Sequence, residues 1–368
     1  MNSPILFFCL PSFSGGGAER VMVSLMRVLA KEARIKCMVL QEEGSLRQSM
    51  PSQCQIINLN HRSGKVAILA MARTFRTERP QTIISTMAYF NFLVMLGLFI
   101  ARHKPKNIIL REANTPSSTL RSASFGWIYR FLYRWLYKRA DCIICNSSHV
   151  KEELLALNVA DEKINIIPNP IDVVSIRKKS QEEVKLPYFK NPKLPFLVSI
   201  GRLTKQKGFD RLISWFDPAT MPSNLLIIGD GPERDALIAL RNKKGLQGRV
   251  FFLSYQKNPF PFIAKAKALL IASHWEGLPS VGLEALALGV KVIATSTSGG
   301  LNDLRREVPE NILTITENKQ GFIEEMRKTS QNSDQISSSS PLCYLPKSFH
   351  EDQVVCKYKS ALQLDGQL

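Results

Sequence analysis

No uninterrupted apolar run in these 368 residues reaches the length of a bilayer. The most apolar stretch, Phe92–Ala101, is well short of the ~20 residues a spanning helix needs, so it is expected as a buried helix. The start of the chain lacks a basic leader. Pro4–Leu10 runs straight into a glycine turn and is expected as a first strand, not as a secretion signal. The cysteines lack a disulfide pattern: there are seven, an odd number, scattered from Cys9 to Cys356. That usage suits a reducing cytoplasm. Cys142-Ile-Ile-Cys145 has CxxC spacing but sits in an apolar strand, where residues three apart point to opposite faces, so it reads as two core residues. Acid is also scarce. Asp+Glu number 31 against 49 Lys+Arg, a net charge of +18. Residues 1–190 carry 27 basic and 14 acidic side chains, a net of +13, and the remainder carries only +5. The N-terminal half is therefore expected to face something anionic: membrane headgroups, lipid phosphates or nucleic acid.

The length favours two domains, and 45% hydrophobic residues suffice for a sizeable core. Apolar strands alternate with helical stretches. Pro4–Leu10, Cys37–Leu40, Thr82–Ser85, Asn107–Leu110 and Cys142–Cys145 form one series. Phe196–Ile200, Leu225–Ile228, Val250–Leu253, Ala268–Ala272 and Val290–Ala294 form a second. Repeated βα units predict parallel sheets with helices on both faces. The divisions expected are an N-terminal domain over 1–172, a charged, proline-bracketed linker over 173–193, a C-terminal domain over 194–345 and a terminal helical segment over 346–368. The helix, Phe349–Leu364, suits packing on either domain, and serine-rich Ser330–Ser340 is expected as a mobile connection.

Glycine turns sit at the strand ends. Ser14-Gly15-Gly16-Gly17-Ala18-Glu19-Arg20 leads into a helix, but Arg20 breaks the G-x-G-x-x-G spacing that a nicotinamide enzyme needs. Gly201-Arg202…Lys207-Gly208 offers two cations from one turn, a fork and a point charge suited to clamping a diphosphate. Gly229-Asp230-Gly231-Pro232 is a third turn. Ser273-His-Trp-Glu276-Gly-Leu-Pro-Ser-Val-Gly-Leu-Glu284 places two carboxylates in a strand-to-helix segment, where open α/β sheets bind ligands. Two acids and a helix N-terminus suit a ligand bearing hydroxyls and phosphates, such as a sugar nucleotide.

These motifs, with Val292-Ile-Ala-Thr295, Ser298-Gly299-Gly300 and the hinge Ile167-Pro-Asn-Pro-Ile-Asp172, resemble the retaining glycosyltransferases of family 4, over about residues 5–328. The resemblance implies the GT-B fold, two Rossmann-like parallel-sheet domains facing across a cleft, the first binding the acceptor and the second the nucleotide sugar. It implies that Arg202 and Lys207 hold the donor diphosphate, that Glu284 binds the ribose and that Glu276 binds the transferred sugar. Backbone N–H groups around the segment Leu278, Pro279, Ser280 and Val281, proline itself having none, would support sugar and phosphates. Gly229 would lie beside the nucleotide, and Gly16 and Gly17 would approach the donor from the first domain. No metal and no cofactor are implied, because fixed cations and a helix N-terminus serve the departing diphosphate.

The chain departs from the family at one place. Many members carry a histidine after the fourth or fifth N-terminal strand. Here the strand Asn107–Leu110 leads into Arg111-Glu112-Ala113-Asn114, leaving Arg111, Glu112 or Asn114 for that position, with Asn114 a catalytic candidate beside Glu276, Arg202 and Lys207. An arginine there accompanies N-acetylhexosamine transfer in some members. The segment Arg121–Arg139 mixes aromatics with Arg130, Arg134 and Lys138 every four residues, a cationic stripe suited to a membrane interface. The expectation is a cytoplasmic enzyme, peripheral on an anionic inner membrane. It would move a hexose or N-acetylhexosamine from a UDP-linked donor to a glycan or lipid-linked acceptor in bacterial lipopolysaccharide or capsule assembly. No nucleic-acid partner is expected. The rival is a non-catalytic binder of nucleic acid or anionic lipid through the basic half. A sugar-nucleotide epimerase fits less well, since no acid/base pair is legible beside the donor loops.

Overall fold

The computed structural model describes residues 4–61, 64–122, 125–184, 194–332 and 342–363. The expected serine-rich connection lies largely outside these residues, as does the second half of the expected linker. Two compact units are formed, residues 1–170 with 352–368 and residues 171–351.

The first unit is a seven-stranded parallel sheet in the order β3-β2-β1-β4-β5-β6-β7. Its strands are β1 (Ile5–Leu10), β2 (Arg34–Val39), β3 (Gln55–Asn58), β4 (Thr82–Thr86), β5 (Asn107–Glu112), β6 (Cys142–Cys145) and β7 (Ile164–Ile166). The helices between them are α1 (Gly17–Leu29), α2 (Gly64–Glu78), α3 (Ala88–Ala101), α4 (Pro116–Ser122), α5 (Gly126–Leu136) and α6 (Ser148–Ala156). The second unit holds α7 (Val173–Ser180) and a six-stranded parallel sheet, order β10-β9-β8-β11-β12-β13. Its strands are β8 (Phe196–Ile200), β9 (Asn224–Ile228), β10 (Val250–Leu253), β11 (Ala268–Ile271), β12 (Lys291–Thr295) and β13 (Leu313–Thr316). They are joined through α8 (Phe209–Trp215), α9 (Arg234–Lys243), α10 (Phe260–Lys265) and α11 (Ser280–Ala287), and α12 (Lys319–Gln331) follows the last strand. The final helix is α13 (Glu351–Ala361).

Both sheets are buried on both faces, which is why their strands read as near-continuous apolar runs such as Leu6–Leu10 and Leu225–Ile228. In each sheet the strand order reverses at one point, between β1 and β4 in the first and between β8 and β11 in the second. The βα loops diverge there and leave a crevice at the carboxyl ends of the strands.

One segment expected as linker is helical, and one open placement is decided. Residues 173–180, expected as linker, form α7. Asp172 caps it, accepting from Ser175 N–H at 2.9 Å, and Ile176 buries in the core of the second unit. The apolar positions of α7 gain more by packing there than a solvated linker would. The terminal helix, left open between the two domains, packs on the first unit through Val354, Val355 and Tyr358. Among the described residues no helix is long and apolar enough to cross a membrane.

Candidate functional site

In the second unit the loops after β8, β9, β11 and β12 interlock, and glycine makes the fit possible. Gly229 has φ of 142°, and a Cβ on it would lie 2.0 Å from the Gly201 carbonyl oxygen. Gly299, with φ of 57°, would drive a Cβ to 2.1 Å from the Glu276 carbonyl oxygen. Only glycine tolerates both the conformation and the approach. Backbone bonds complete the fit: Leu203 N–H donates to Asp230 O at 2.9 Å, His274 N–H to Gln206 O at 2.8 Å and Gly300 N–H to Gly277 O at 2.6 Å.

This framework sets the charged groups on the β8/β11 reversal. Lys207 leaves the loop after β8, and Glu276 the loop after β11. The Lys207 ammonium donates to Glu276 Oε1 at 2.5 Å, and Ser273 Oγ–H donates to the same oxygen at 2.9 Å. Glu276 is 6% exposed. Its backbone segment is held from below: Thr295 Oγ1–H and Thr297 Oγ1–H donate to Ser273 O at 3.1 and 2.6 Å, and Gln206 Nε2–H donates to Trp275 O at 3.1 Å. An ammonium has three donors and a carboxylate about four acceptor sites, so both members of the pair keep capacity for a ligand. Arg202 is exposed on the same loop as Lys207 and makes no ion pair among the described residues. Leu278 and Pro279 are buried, and α11 starts at Ser280 with no side-chain cap. The N–H groups of its first turn therefore lie within the same loop cluster. Glu284 stands one turn further on, partly buried. Thus Arg202, Lys207, Gly229, Glu276, Leu278, Pro279, Ser280, Val281 and Glu284 all fall on one loop cluster. Gln206 and Thr297, which help to hold this segment, carry no sequence signal, because polar residues in loops are common everywhere.

In the first unit Gly16 caps α1, and Gly15 adopts φ of 92°. A Cβ on Gly17 would meet nothing within 4 Å, whereas one on Gly16 would meet the Glu19 carboxylate. Glu19, 5% exposed, accepts from Ser14 Oγ–H at 3.2 Å.

The stretch that departs from the family pattern folds differently from the expectation. The strand extends to Glu112, so Arg111 lies within β5, not in a loop. It is 1% exposed, and its guanidinium donates to Tyr358 Oη at 3.1 Å, Thr86 Oγ1 at 3.2 Å and Asn169 Oδ1 at 2.6 Å. Arg111 ties the carboxyl ends of β4 and β5 to the hinge and to α13. Glu112, the next residue, is also 1% exposed and accepts from Tyr133 and Tyr137 Oη–H at 3.2 and 2.6 Å. Burial pushes its pKa up to about 7, against the opposing pull of both tyrosines, Arg111 and the Asn114 N–H. Asn114 is exposed at the rim of a cavity of about 220 Å³. Tyr129, Tyr133 and Tyr137 recur every four residues on α5 and the turn after it, all packed edge-on or tilted against Phe92. That period was open to reading beside the cationic one.

The Glycosyltransferase Family 4 model matches residues 15–174, and the Glycosyl transferases group 1 model matches residues 180–338. The chain is 27% identical over 329 residues to a Campylobacter jejuni N-acetylgalactosamine-N,N'-diacetylbacillosaminyl-diphospho-undecaprenol 4-alpha-N-acetylgalactosaminyltransferase, covering 86% of this chain and 87% of that one. It is 26% identical over 289 residues to the Rhizobium meliloti lipopolysaccharide core biosynthesis glycosyltransferase LpsE, 77% of each chain. Among solved structures, Anabaena HepE in complex with UDP and glucose superposes with a TM-score of 0.76 at 17% identity, over 98% of this chain and 100% of that one. Matched family models over both units, with the fold likeness over the whole length, lead to one conclusion: the chain belongs to the group 1 glycosyltransferases of family 4 and has the GT-B fold.

Proposed function

We propose that the protein transfers a hexose or N-acetylhexosamine from a UDP-linked donor, with retention at the anomeric carbon, to a glycan or lipid-linked acceptor of a bacterial surface polysaccharide. The observation that carries this reading is the Lys207–Glu276 pair at the strand-order reversal, beside exposed Arg202 and the first turn of α11. Arg202 and Lys207 bind the diphosphate. Glu276 accepts from hydroxyls of the sugar and Glu284 from those of the ribose. As the sugar–phosphate bond breaks, negative charge gathers on the diphosphate, and two fixed cations with a helix N-terminus stabilise it without a metal. The relatives support the acceptor class: the Campylobacter protein acts on a diphospho-undecaprenol glycan, and LpsE is a glycosyltransferase of lipopolysaccharide core biosynthesis. The test is UDP calorimetry, together with transfer from labelled UDP-sugars to a bacterial membrane extract, in wild type and Glu284→Ala. Loss of both UDP affinity and transfer is expected, and full activity in the variant overturns the site.

The same reading places the enzyme on an anionic inner-membrane surface in the cytoplasm. Helix α5 supports it. Trp127 and Phe131 are 72% and 58% exposed, Phe125 before it 61% and Phe99 of α3 63%. Arg130, Arg134, Lys138 and Arg139 are exposed around them. Tyr133 and Tyr137 turn inward and are fully buried, so the surface is made by the other aromatics. Cosedimentation with phosphatidylglycerol vesicles is expected, weakened by salt and by Trp127→Ser with Phe131→Ser. Equal binding to neutral vesicles overturns it.

A further inference from the structure

The pocket at the carboxyl ends of β4 and β5 lies within the first unit and is not used by the donor reading. Its volume, about 220 Å³, is below the range typical of drug-sized ligands and suits a single ring. Its lining combines apolar and aromatic surface from Met87, Tyr89 and Tyr129 with polar groups from Glu112, Asn114 and Thr119. None of the lining residues is Lys or Arg, in a chain of net charge +18. A phosphate would meet a carboxyl there and no cation. A neutral, hydroxylated ring would meet ring faces and hydrogen-bonding groups together, the combination that amphipathic sugars require.

Two further features mark the pocket as built. Met87 holds φ of 75°, a conformation costly for a side chain of its size, and is fixed there by its N–H donating to Arg111 O at 3.2 Å. Glu112 is a buried carboxyl with no ion pair among the described residues, although Arg111 is its neighbour in the chain. Core packing gives no reason to bury such a group, because an apolar residue would cost less there. The two tyrosines that hold it belong to one inward stripe of α5 and its following turn, whose third member, Tyr129, lines the pocket. Tyr137 in turn accepts from Asn91 Nδ2–H at 3.1 Å, so the clamp is anchored on α3 as well.

We propose that this pocket binds one neutral sugar ring of the acceptor, with Glu112 accepting a hydrogen bond from a ring hydroxyl and Asn114 and Thr119 completing its recognition. The proposal rests on the transferase reading only for the word acceptor; the pocket's ligand class follows from its lining. The groups facing Glu112 are Tyr133 and Tyr137 from the α5 side, Arg111 from β5, the Asn114 N–H from the loop after it, and Cys145 from β6. Burial holds the carboxyl near neutrality, so the charged, better-accepting form grows as pH rises through about 7. Affinity for the sugar rises over the same interval.

The experiment uses the full chain with saturating UDP and measures binding of methyl glycosides of glucose, galactose, N-acetylglucosamine and N-acetylgalactosamine by saturation-transfer NMR at pH 6 and pH 8. At least one glycoside is expected to bind, several-fold more tightly at pH 8, with a ceiling near tenfold set by carboxyl ionisation. Glu112→Gln is expected to remove the pH dependence, Tyr137→Phe to move its midpoint upward and inorganic phosphate not to compete. Should Glu112→Gln fail to fold, Asn114→Ala at the exposed rim must weaken binding while leaving the melting temperature unchanged. Absence of binding by all four glycosides, or an unchanged pH profile in Glu112→Gln, overturns the proposal. Failure of UDP to bind the wild type overturns the donor reading instead, and the glycoside measurement without UDP still decides the pocket.

Discussion

The two units share a strand order and differ in what they set at the carboxyl ends of their strands. In the second, charge is matched and left reachable: Lys207 against Glu276, with Arg202 exposed beside them. In the first, charge is sunk. Arg111 and Glu112 are both 1% exposed, and each is satisfied mainly by neutral partners. On the two readings proposed above, one topology serves an anion in one unit and a neutral ring in the other, and the loops at the strand ends make the difference.

The sharpest way to break the comparison is to remove the matched pair. Glu276→Ala takes away the carboxylate proposed to bind the sugar and the partner of Lys207, and transfer is expected to fall about 10²–10³-fold in kcat/KM. A loss below tenfold means the pair is structural only. Next is Gly229→Ala, which sets a Cβ 2.0 Å from the Gly201 carbonyl oxygen at φ of 142°. A loss of about 3 kcal/mol in denaturant unfolding is expected, since strain and displaced backbone add.

The third prediction concerns the sunk charge. Folding raises the Glu112 pKa from the model-peptide value of 4.5 to about 7. The folded chain therefore binds this proton more tightly than the unfolded chain. The stability it contributes is complete below about 4.5 and is lost as pH rises to about 7. Glu112→Gln is expected to cancel that decline, a difference on the order of 2–3 kcal/mol between pH 4.5 and 8. Parallel stability curves for both proteins contradict it. The smallest effect is Arg202→Ala. An exposed cation on a phosphate contributes about 1–2 kcal/mol, so UDP affinity is expected to weaken about tenfold by calorimetry.

The alternating strands and helices and the glycine turns were legible in the chain because buried parallel strands are continuous apolar runs and tight loop packing demands glycine. The strands β3, β7 and β13 were not: Gln55–Asn58 and Ile164–Ile166 are short, half-exposed edge strands without a long apolar run. Leu313–Thr316 alternates with polar residues. The helix α7 was hidden by the charge of the segment that contains it.

What the sequence determined alone is local: which segments are strands, where the backbone must be glycine, and that two cations and two carboxylates leave turns at strand ends. Only the tertiary structure decided which of these groups meet. Lys207 and Glu276 are 69 residues apart in the chain and joined at 2.5 Å. Arg111 finds Tyr358 across 247 residues. Glu112 owes its near-neutral pKa to burial beneath α5. Pairing and desolvation depend on distances across the fold, and the order of residues along a chain does not contain those distances until the sheets are assembled.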